Sequence, residues 1–108
     1  MSLVEPSSEF TSWASFEPGG AVVAVRGELD LSTVATLARS LAPVLDTHPH
    51  ELILDLAELR FIDSTGLSLL VKTSKELKEH EGMLALTHPT PPVRRVLEIV
   101  GLDTLLVA

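Results

Sequence analysis

The segment Asp63-Ser64-Thr65-Gly66 combines a carboxylate, two hydroxyls and a glycine just before an amphipathic stretch that starts at Leu67. Asp63 or Ser64 is a typical N-cap for such a helix, and Gly66 permits close packing in its first turn. A hydroxyl at a helix N-terminus is accessible to a modifying enzyme, and a phosphate there meets free backbone N–H groups and the positive end of the helix dipole. Composition alone favours the capping role, and a regulatory role is compatible with it, because charge added beside Asp63 would oppose the docking of a partner while leaving the fold intact.

Other patterns that carry chemistry have little support. Ser64 lies in neither a Gly-x-Ser-x-Gly elbow nor a Ser-x-x-Lys pair. It would become a candidate nucleophile only if the fold brought His80 or His88 within reach of its hydroxyl. His48 and His50 share a proline-containing loop with no third ligand nearby, so we expect no metal. The chain has no cysteine, no P-loop and no Gly-x-Gly-x-x-Gly, so we expect no cofactor, and we expect the chain to be acted upon by a kinase rather than to be one.

The charge balance narrows the class of partner. Lys and Arg number 8 against 15 Asp and Glu, a net charge of −7. Such an acidic chain is poorly suited to direct binding of nucleic acid or of an anionic membrane surface, and it suits a protein partner with a basic face. Every apolar run is interrupted by charge, Pro or Gly, so we expect no membrane insertion. The missing cysteines and secretory signal favour a cytoplasmic protein.

Hydrophobic periodicity predicts the elements that position these residues. The 108 residues predict one domain over 1–108, with 1–12 as a flexible tail. An edge strand at 13–16, a Pro-Gly-Gly turn and a buried strand at 21–25 predict a hairpin. Apolar residues at helical spacing predict a first helix from Leu31 to about Thr47, capped by Asp30 or Ser32. A strand at 52–56, a helix ending before Gly82, a strand at 83–87 and a helix from Thr90 to Gly101 complete the pattern.

The resulting order is β-β-α-β-α-β-α. Strands separated by helices predict right-handed crossovers, and hence an α/β fold with a mostly parallel sheet. We expect about four strands, the first an antiparallel edge strand at the N-terminus, packed with about three helices.

Three motifs, in this order, resemble the STAS-domain anti-sigma factor antagonists of bacteria: Gly27-Glu28-Leu29-Asp30, Leu54-Asp55-Leu56 and Phe61-Ile62-Asp63-Ser64-Thr65-Gly66-Leu67. The resemblance extends from about Val22 to Val100, and the Asp-Ser-Thr-Gly-Leu block is its specific part. It implies a STAS-like single domain that works as a non-enzymatic regulator of transcription by partner switching.

The resemblance also implies roles for individual residues. An ATP-dependent anti-sigma factor serine kinase would bind the unphosphorylated protein and release a sigma factor. Phosphorylation of Ser64 would end that binding, and a serine phosphatase would restore it. The neighbouring site residues would help to form the docking surface: Asp30, Leu31, Asp63, Thr65 and Gly66. Thr65 is an alternative acceptor one residue away, and Ser68 stands where many members of the family have glycine.

Two other functions remain open at this stage. Similar single-domain STAS proteins are subunits of lipid-transporting ABC complexes and bind the nucleotide-binding subunit, which the apolar run Leu69-Leu70-Val71 and the missing glycine would allow. The third is an enzyme that uses Ser64 as its nucleophile.

Overall fold

The structure is a computed structural model that describes residues 10–107. It is an α/β fold with one four-stranded sheet in the order β1-β2-β3-β4, in which β1 is antiparallel to β2 and the other pairs are parallel. The strands are β1 (Thr11–Glu17), β2 (Gly20–Leu29), β3 (Glu51–Ile62) and β4 (Met83–Thr87). The helices are α1 (Val34–Leu45), α2 (Ser64–Lys78) and α3 (Pro91–Val100), followed by a short 3-10 helix (Leu102–Leu105). The predicted fold class, element order and antiparallel edge strand are confirmed.

The predicted tail is only partly within the described residues. Residues 1–9 lie outside them, and Thr11 and Ser12 already belong to β1.

No helix in the part of the chain that the structure describes is both long and apolar enough to cross a membrane.

The core lies between one face of the sheet and the helices. Ala21, Val23 and Val25 of β2 are buried and alternate with half-buried residues, as expected for a strand covered on one face. Further fully buried residues come from β3, from β4 and from the helices, among them Leu52, Leu54, Leu56, Leu86, Leu37, Leu41, Leu70 and Leu97.

Strand β3 is longer than the predicted 52–56, because it continues to Ile62. Its pairing with β2 shifts twice: Ala24 pairs with Asp55 but Arg26 with Glu58, and Gly27 pairs with Leu59 but Glu28 with Phe61. At each shift β3 carries one extra residue, which is a β-bulge. The buried residues therefore follow at intervals of three, Leu56, Leu59 and Ile62, and the alternation that would predict a strand is absent from the sequence.

Helix α1 begins later than predicted. Its N-cap is Thr33, and the predicted caps Asp30 and Ser32 belong to a turn that precedes the helix. Leu31, expected on the apolar stripe, has 76% of its surface exposed.

The C-terminal segment closes one edge of the sheet. The Thr90 hydroxyl donates to the Leu59 carbonyl at 2.9 Å and ties the start of α3 to β3. Gly101 ends α3 with φ +81°, as its position predicts. Beyond it, Leu106 forms a parallel bridge with Leu86, and the N–H of Val107 donates to the Leu86 carbonyl at 3.0 Å, so β4 has a partner on its outer side.

Candidate functional site

The candidate site lies where the neighbouring parallel strands β2 and β3 end. Leu29 and Ile62, the last residues of the two strands, are paired in register. The N–H of Asp63 donates to the Leu29 carbonyl at 3.1 Å, which extends the pairing by one step. Asp30 and Asp63 therefore leave the sheet side by side, at the edge where loops of parallel sheets commonly carry function.

Asp63, one of the two predicted caps, is the N-cap of α2. Its carboxylate accepts from the N–H of Thr65 at 2.9 Å, the N–H of Gly66 at 3.2 Å and the Thr65 hydroxyl. The Thr65 hydroxyl, and then the N–H groups of Gly66, Thr65 and Leu31, lower the pKa of Asp63 below its ordinary 3.8 despite partial desolvation. The carboxylate is therefore charged at neutral pH and uses up two of the free N–H groups at the helix start.

Gly66 fixes the position of α2 against the ends of both strands. It is buried, and a Cβ placed on it would lie 2.8 Å from Ile62 Cγ1 and 2.8 Å from Leu29 Cγ. Leu29 is only 1% exposed, so its side chain has no room to move aside. The predicted close packing at Gly66 is confirmed. Because Gly66 is buried, it has little surface with which to contact a partner directly.

The two adjacent hydroxyls of the motif have different surroundings. Ser64 is exposed at the first position of α2, and within residues 10–107 its hydroxyl has no hydrogen-bond partner. Thr65 is partly buried, and its hydroxyl is engaged by the Asp63 carboxylate. Only the Ser64 hydroxyl is therefore free to meet an incoming group.

Asp30 forms a turn that displays Leu31. Its carboxylate accepts from the Ser32 N–H at 2.9 Å, the Ser32 hydroxyl at 2.7 Å and the Thr33 hydroxyl at 3.3 Å. The Ser32 hydroxyl is the main cause that lowers the pKa of Asp30, with further contributions from the Ser32 N–H and from Thr33. The Thr33 hydroxyl also donates to the Glu28 carbonyl at 2.7 Å. This turn projects the Leu31 side chain into solvent next to the start of α2.

A groove of about 530 Å³ extends from Ser64 along α2 to the C-terminal segment. Its rim carries Ser64 and Ser68 together with Lys72 and Lys75, and its apolar walls are Leu67, Val71, Val100 and Leu102. Val71 of α2 and Val100 of α3 continue the apolar spacing of their helices, yet they are 39% and 49% exposed. Helical periodicity places both residues at the edge of an apolar face, but the sequence does not show that the two edges converge.

The histidines make contacts away from Ser64. The ring of His48 stacks on that of His80 with centroids 3.9 Å apart, and His88 Nδ1 lies 3.4 Å from the Asp55 carboxylate. Neither His80 nor His88 is hydrogen-bonded to Ser64. Within residues 10–107, no group of three or more His, Asp and Glu side chains is arranged to hold a metal ion.

The chain is similar to known proteins of one family. The STAS domain model matches residues 14–107. An anti-sigma-B factor antagonist of Staphylococcus epidermidis is 36% identical over 84 residues, which are 78% of this chain and 78% of the relative.

Solved structures agree in fold. An anti-sigma factor antagonist from Mycobacterium paratuberculosis superposes with a TM-score of 0.81 at 31% identity, covering 94% of this chain and 86% of the other. Unphosphorylated SpoIIAA gives 0.78 at 25% identity over 92% of this chain and 86% of that one. The phosphorylated form of the same Bacillus protein gives 0.70 at 24% identity, covering 92% and 89%. This chain belongs to the STAS domain family.

Proposed function

We propose that this protein is an anti-sigma factor antagonist whose binding to an anti-sigma factor is switched off by phosphorylation of Ser64. The observation that carries the proposal is the free, exposed Ser64 hydroxyl at the start of α2, beside a carboxylate that stays charged. The relatives that share the family are named as antagonists of anti-sigma factors, and SpoIIAA has been solved with and without phosphate.

Ser64 is a better acceptor than Thr65. A phosphoryl acceptor has to present its hydroxyl to the γ-phosphate of ATP in line with the bond that breaks. Thr65 would first have to break the hydrogen bond from its hydroxyl to the Asp63 carboxylate, which is the main cause of the lowered pKa of Asp63. Ser64 has no such contact to lose.

The geometry also favours an acceptor over a catalytic nucleophile. A nucleophilic serine needs a base within hydrogen-bond reach. His80 is stacked on His48 and His88 faces Asp55, so neither is hydrogen-bonded to the Ser64 hydroxyl. We therefore propose a regulator that is acted upon by a kinase.

Charge explains how the switch would work. A phosphate on Ser64 adds nearly two negative charges next to the ionised Asp63. The N–H groups of Thr65 and Gly66 already serve Asp63, so they offer the phosphate little compensation. A partner that covers Ser64 must desolvate this charge pair, and burying uncompensated charge is costly. The free protein bears no such cost, because Ser64 is exposed to water.

The docking surface would join three features around Ser64. These are the exposed Leu31 on the Asp30 turn, the groove that runs from Ser64 past Leu67 and Val71, and the carboxylates of Asp30 and Asp63. An exposed apolar residue flanked by charge is a typical anchor for a protein partner. Asp30 and Asp63 would meet basic groups of that partner, in line with the acidic charge of the chain.

The proposal is tested with the chain's own partners. Tagged protein is used to isolate binding proteins, and the captured kinase is assayed with ATP on wild type, Ser64→Ala and Thr65→Ala. We expect an anti-sigma factor serine kinase that labels wild type and Thr65→Ala but not Ser64→Ala. Ser64→Ala should still bind the kinase, Ser64→Asp should bind at least about tenfold more weakly, and a serine phosphatase should remove the label.

Two results would contradict the proposal. Undiminished labelling of Ser64→Ala would place the phosphate elsewhere. Capture of the nucleotide-binding subunit of a lipid transporter, without any phosphorylated species, would favour a transporter subunit instead.

A further inference from the structure

The two outer edges of the sheet differ in how they are protected. The edge of β4 is paired with Leu106 and Val107. The outer edge of β1 pairs with no other segment among residues 10–107. Natural proteins protect such edges with lysine, proline or a bulge, because unpaired N–H and C=O groups recruit other strands. Between Thr11 and Glu17 there is no lysine and no proline, the register with β2 is regular, and the single charge is the terminal Glu17.

The outer edge of β1 also carries large apolar side chains. Trp13 is 52% exposed and Phe16 is 61% exposed. Opposite residues of an antiparallel pair share a face, so Trp13, which pairs with Ala24, lies on the open face of the sheet. Phe16 pairs with the buried Ala21 and lies on the face that the helices cover. Apolar surface on both sides of an open edge is typical of an interaction site.

We propose that this edge is a self-association surface, on which β1 of one copy pairs antiparallel with β1 of a second copy about a two-fold axis at Ala14. The two four-stranded sheets would then form one continuous sheet of eight strands. The inference does not depend on phosphorylation of Ser64, because it rests on a different strand.

The residues of β1 are complementary to themselves in this register. With Ala14 opposite Ala14, Trp13 faces Ser15 of the second copy and Phe16 faces Ser12 of the second copy, so each large side chain meets a small one. Glu17 faces Thr11 of the second copy, which keeps the two Glu17 carboxylates at opposite ends of the interface. A two-fold axis at Trp13 would place the two indoles directly opposite each other. An axis at Ser15 would place Glu17 opposite Trp13 of the second copy. A two-fold interface needs such self-complementarity.

One seven-residue strand from each copy forms a small interface, so association should be weak and dependent on concentration. Sedimentation equilibrium of the full chain from micromolar to millimolar concentration should show a monomer–dimer equilibrium. Trp13 is the only tryptophan, so its fluorescence should shift to shorter wavelength over the same range as the indole leaves water. A chain that stays monomeric throughout would overturn the proposal.

Substitution on the two-fold axis tests the register. Ala14 is exposed in the monomer, and Ala14→Lys would place two like charges opposite each other, which should weaken dimerisation about tenfold or more. Mixing Ala14→Lys with Ala14→Glu should restore a dimer that contains one of each. Thr104→Lys adds the same charge at an exposed position beyond α3 and should leave dimerisation unchanged. Equal loss in the two lysine variants, or no rescue on mixing, would place the interface elsewhere.

Discussion

Asp30 and Asp63 each follow the last residue of a parallel strand, but the carboxylate of Asp30 stabilises a turn and that of Asp63 stabilises the start of a helix. Both carboxylates come directly after a buried residue of a parallel strand, and both accept from the N–H of the residue two positions on. At Asp63 the following residues enter α2 at once, with Ser64 in its first turn. At Asp30 three residues of turn intervene before α1 begins.

The difference comes from the third residue after each aspartate. After Asp63 this residue is Gly66, which has no side chain and lets the helix backbone approach Leu29. After Asp30 it is Thr33, whose hydroxyl bonds back to the Glu28 carbonyl and holds a turn. One aspartate therefore anchors a helix rigidly and offers a hydroxyl, and the other displays the apolar Leu31.

Replacing Gly66 should have the largest effect on the difference between the starts of α1 and α2. Gly66→Ala should lower the free energy of unfolding by about 1–3 kcal/mol, because its methyl group would collide with Leu29 and Ile62 and this outweighs the better helix propensity of alanine. Chemical denaturation checks this value. Ser68→Ala, at an exposed position of the same helix, should change it by less than about 0.5 kcal/mol. Equal stability of Gly66→Ala and wild type would show that the helix start can shift freely.

Removing each carboxylate should have a smaller and unequal effect. Asp63→Ala should cost about 1 kcal/mol at neutral pH, because it removes a helix cap. Asp30→Ala should cost less, because only an exposed turn loses its acceptor. Urea unfolding of the two variants at one pH checks the order, and a larger loss at Asp30 would contradict it.

The lowered pKa values of Asp30 and Asp63 predict how the free energy of unfolding changes in acid. Both carboxyls have a folded-state pKa below the ordinary 3.8, so each contributes stability that is present above 3.8 and is lost as the pH falls through the lowered pKa. The difference in unfolding free energy between wild type and Asp63→Ala should therefore narrow as the solution is acidified. A difference that stays constant well below pH 3.8 would show that the charge of Asp63 is not what α2 uses.

The smallest effects should separate Ser64 from Thr65. Ser64→Ala should change the unfolding free energy by less than about 0.5 kcal/mol, because the hydroxyl is exposed and unbonded. Thr65→Ala should raise the pKa of Asp63 towards 3.8, since the Thr65 hydroxyl is the main cause of its lowering. Titration of the Asp63 carboxyl by NMR checks both variants, and an equal rise in Ser64→Ala would contradict the free hydroxyl.

The features that the sequence predicted correctly have local causes. The hairpin turn, the Asp63 cap and the Gly101 helix end depend on residues within three or four positions of each other. The turn at Asp30 was missed although it is also local, because Leu31 continues the apolar spacing of α1 and masks the true start at Val34.

The features that the sequence missed depend on distant pairing. Nothing near Arg60 in the chain shows that the adjacent residues Gly27 and Glu28 pair with residues on either side of Arg60, so this bulge was not predictable. The groove needs Val71 and Val100, which are on different helices and meet only in the folded protein.

The two bulges of β3 affect how the length of this strand determines the distance between Asp63 and Asp30. Each bulge holds one residue more than the facing stretch of β2 needs, so Leu56, Leu59 and Ile62 can all face the core. Deleting the extra residue of one bulge, such as Arg60, would make the pairing regular there and keep Ile62 opposite Leu29. A third deletion would exceed the two extra residues, so it would invert the facing at the end of the strand and draw Asp63 back from Asp30 by about 3.3 Å. The two bulges therefore set how far this strand can be shortened before Asp63 and Asp30 separate.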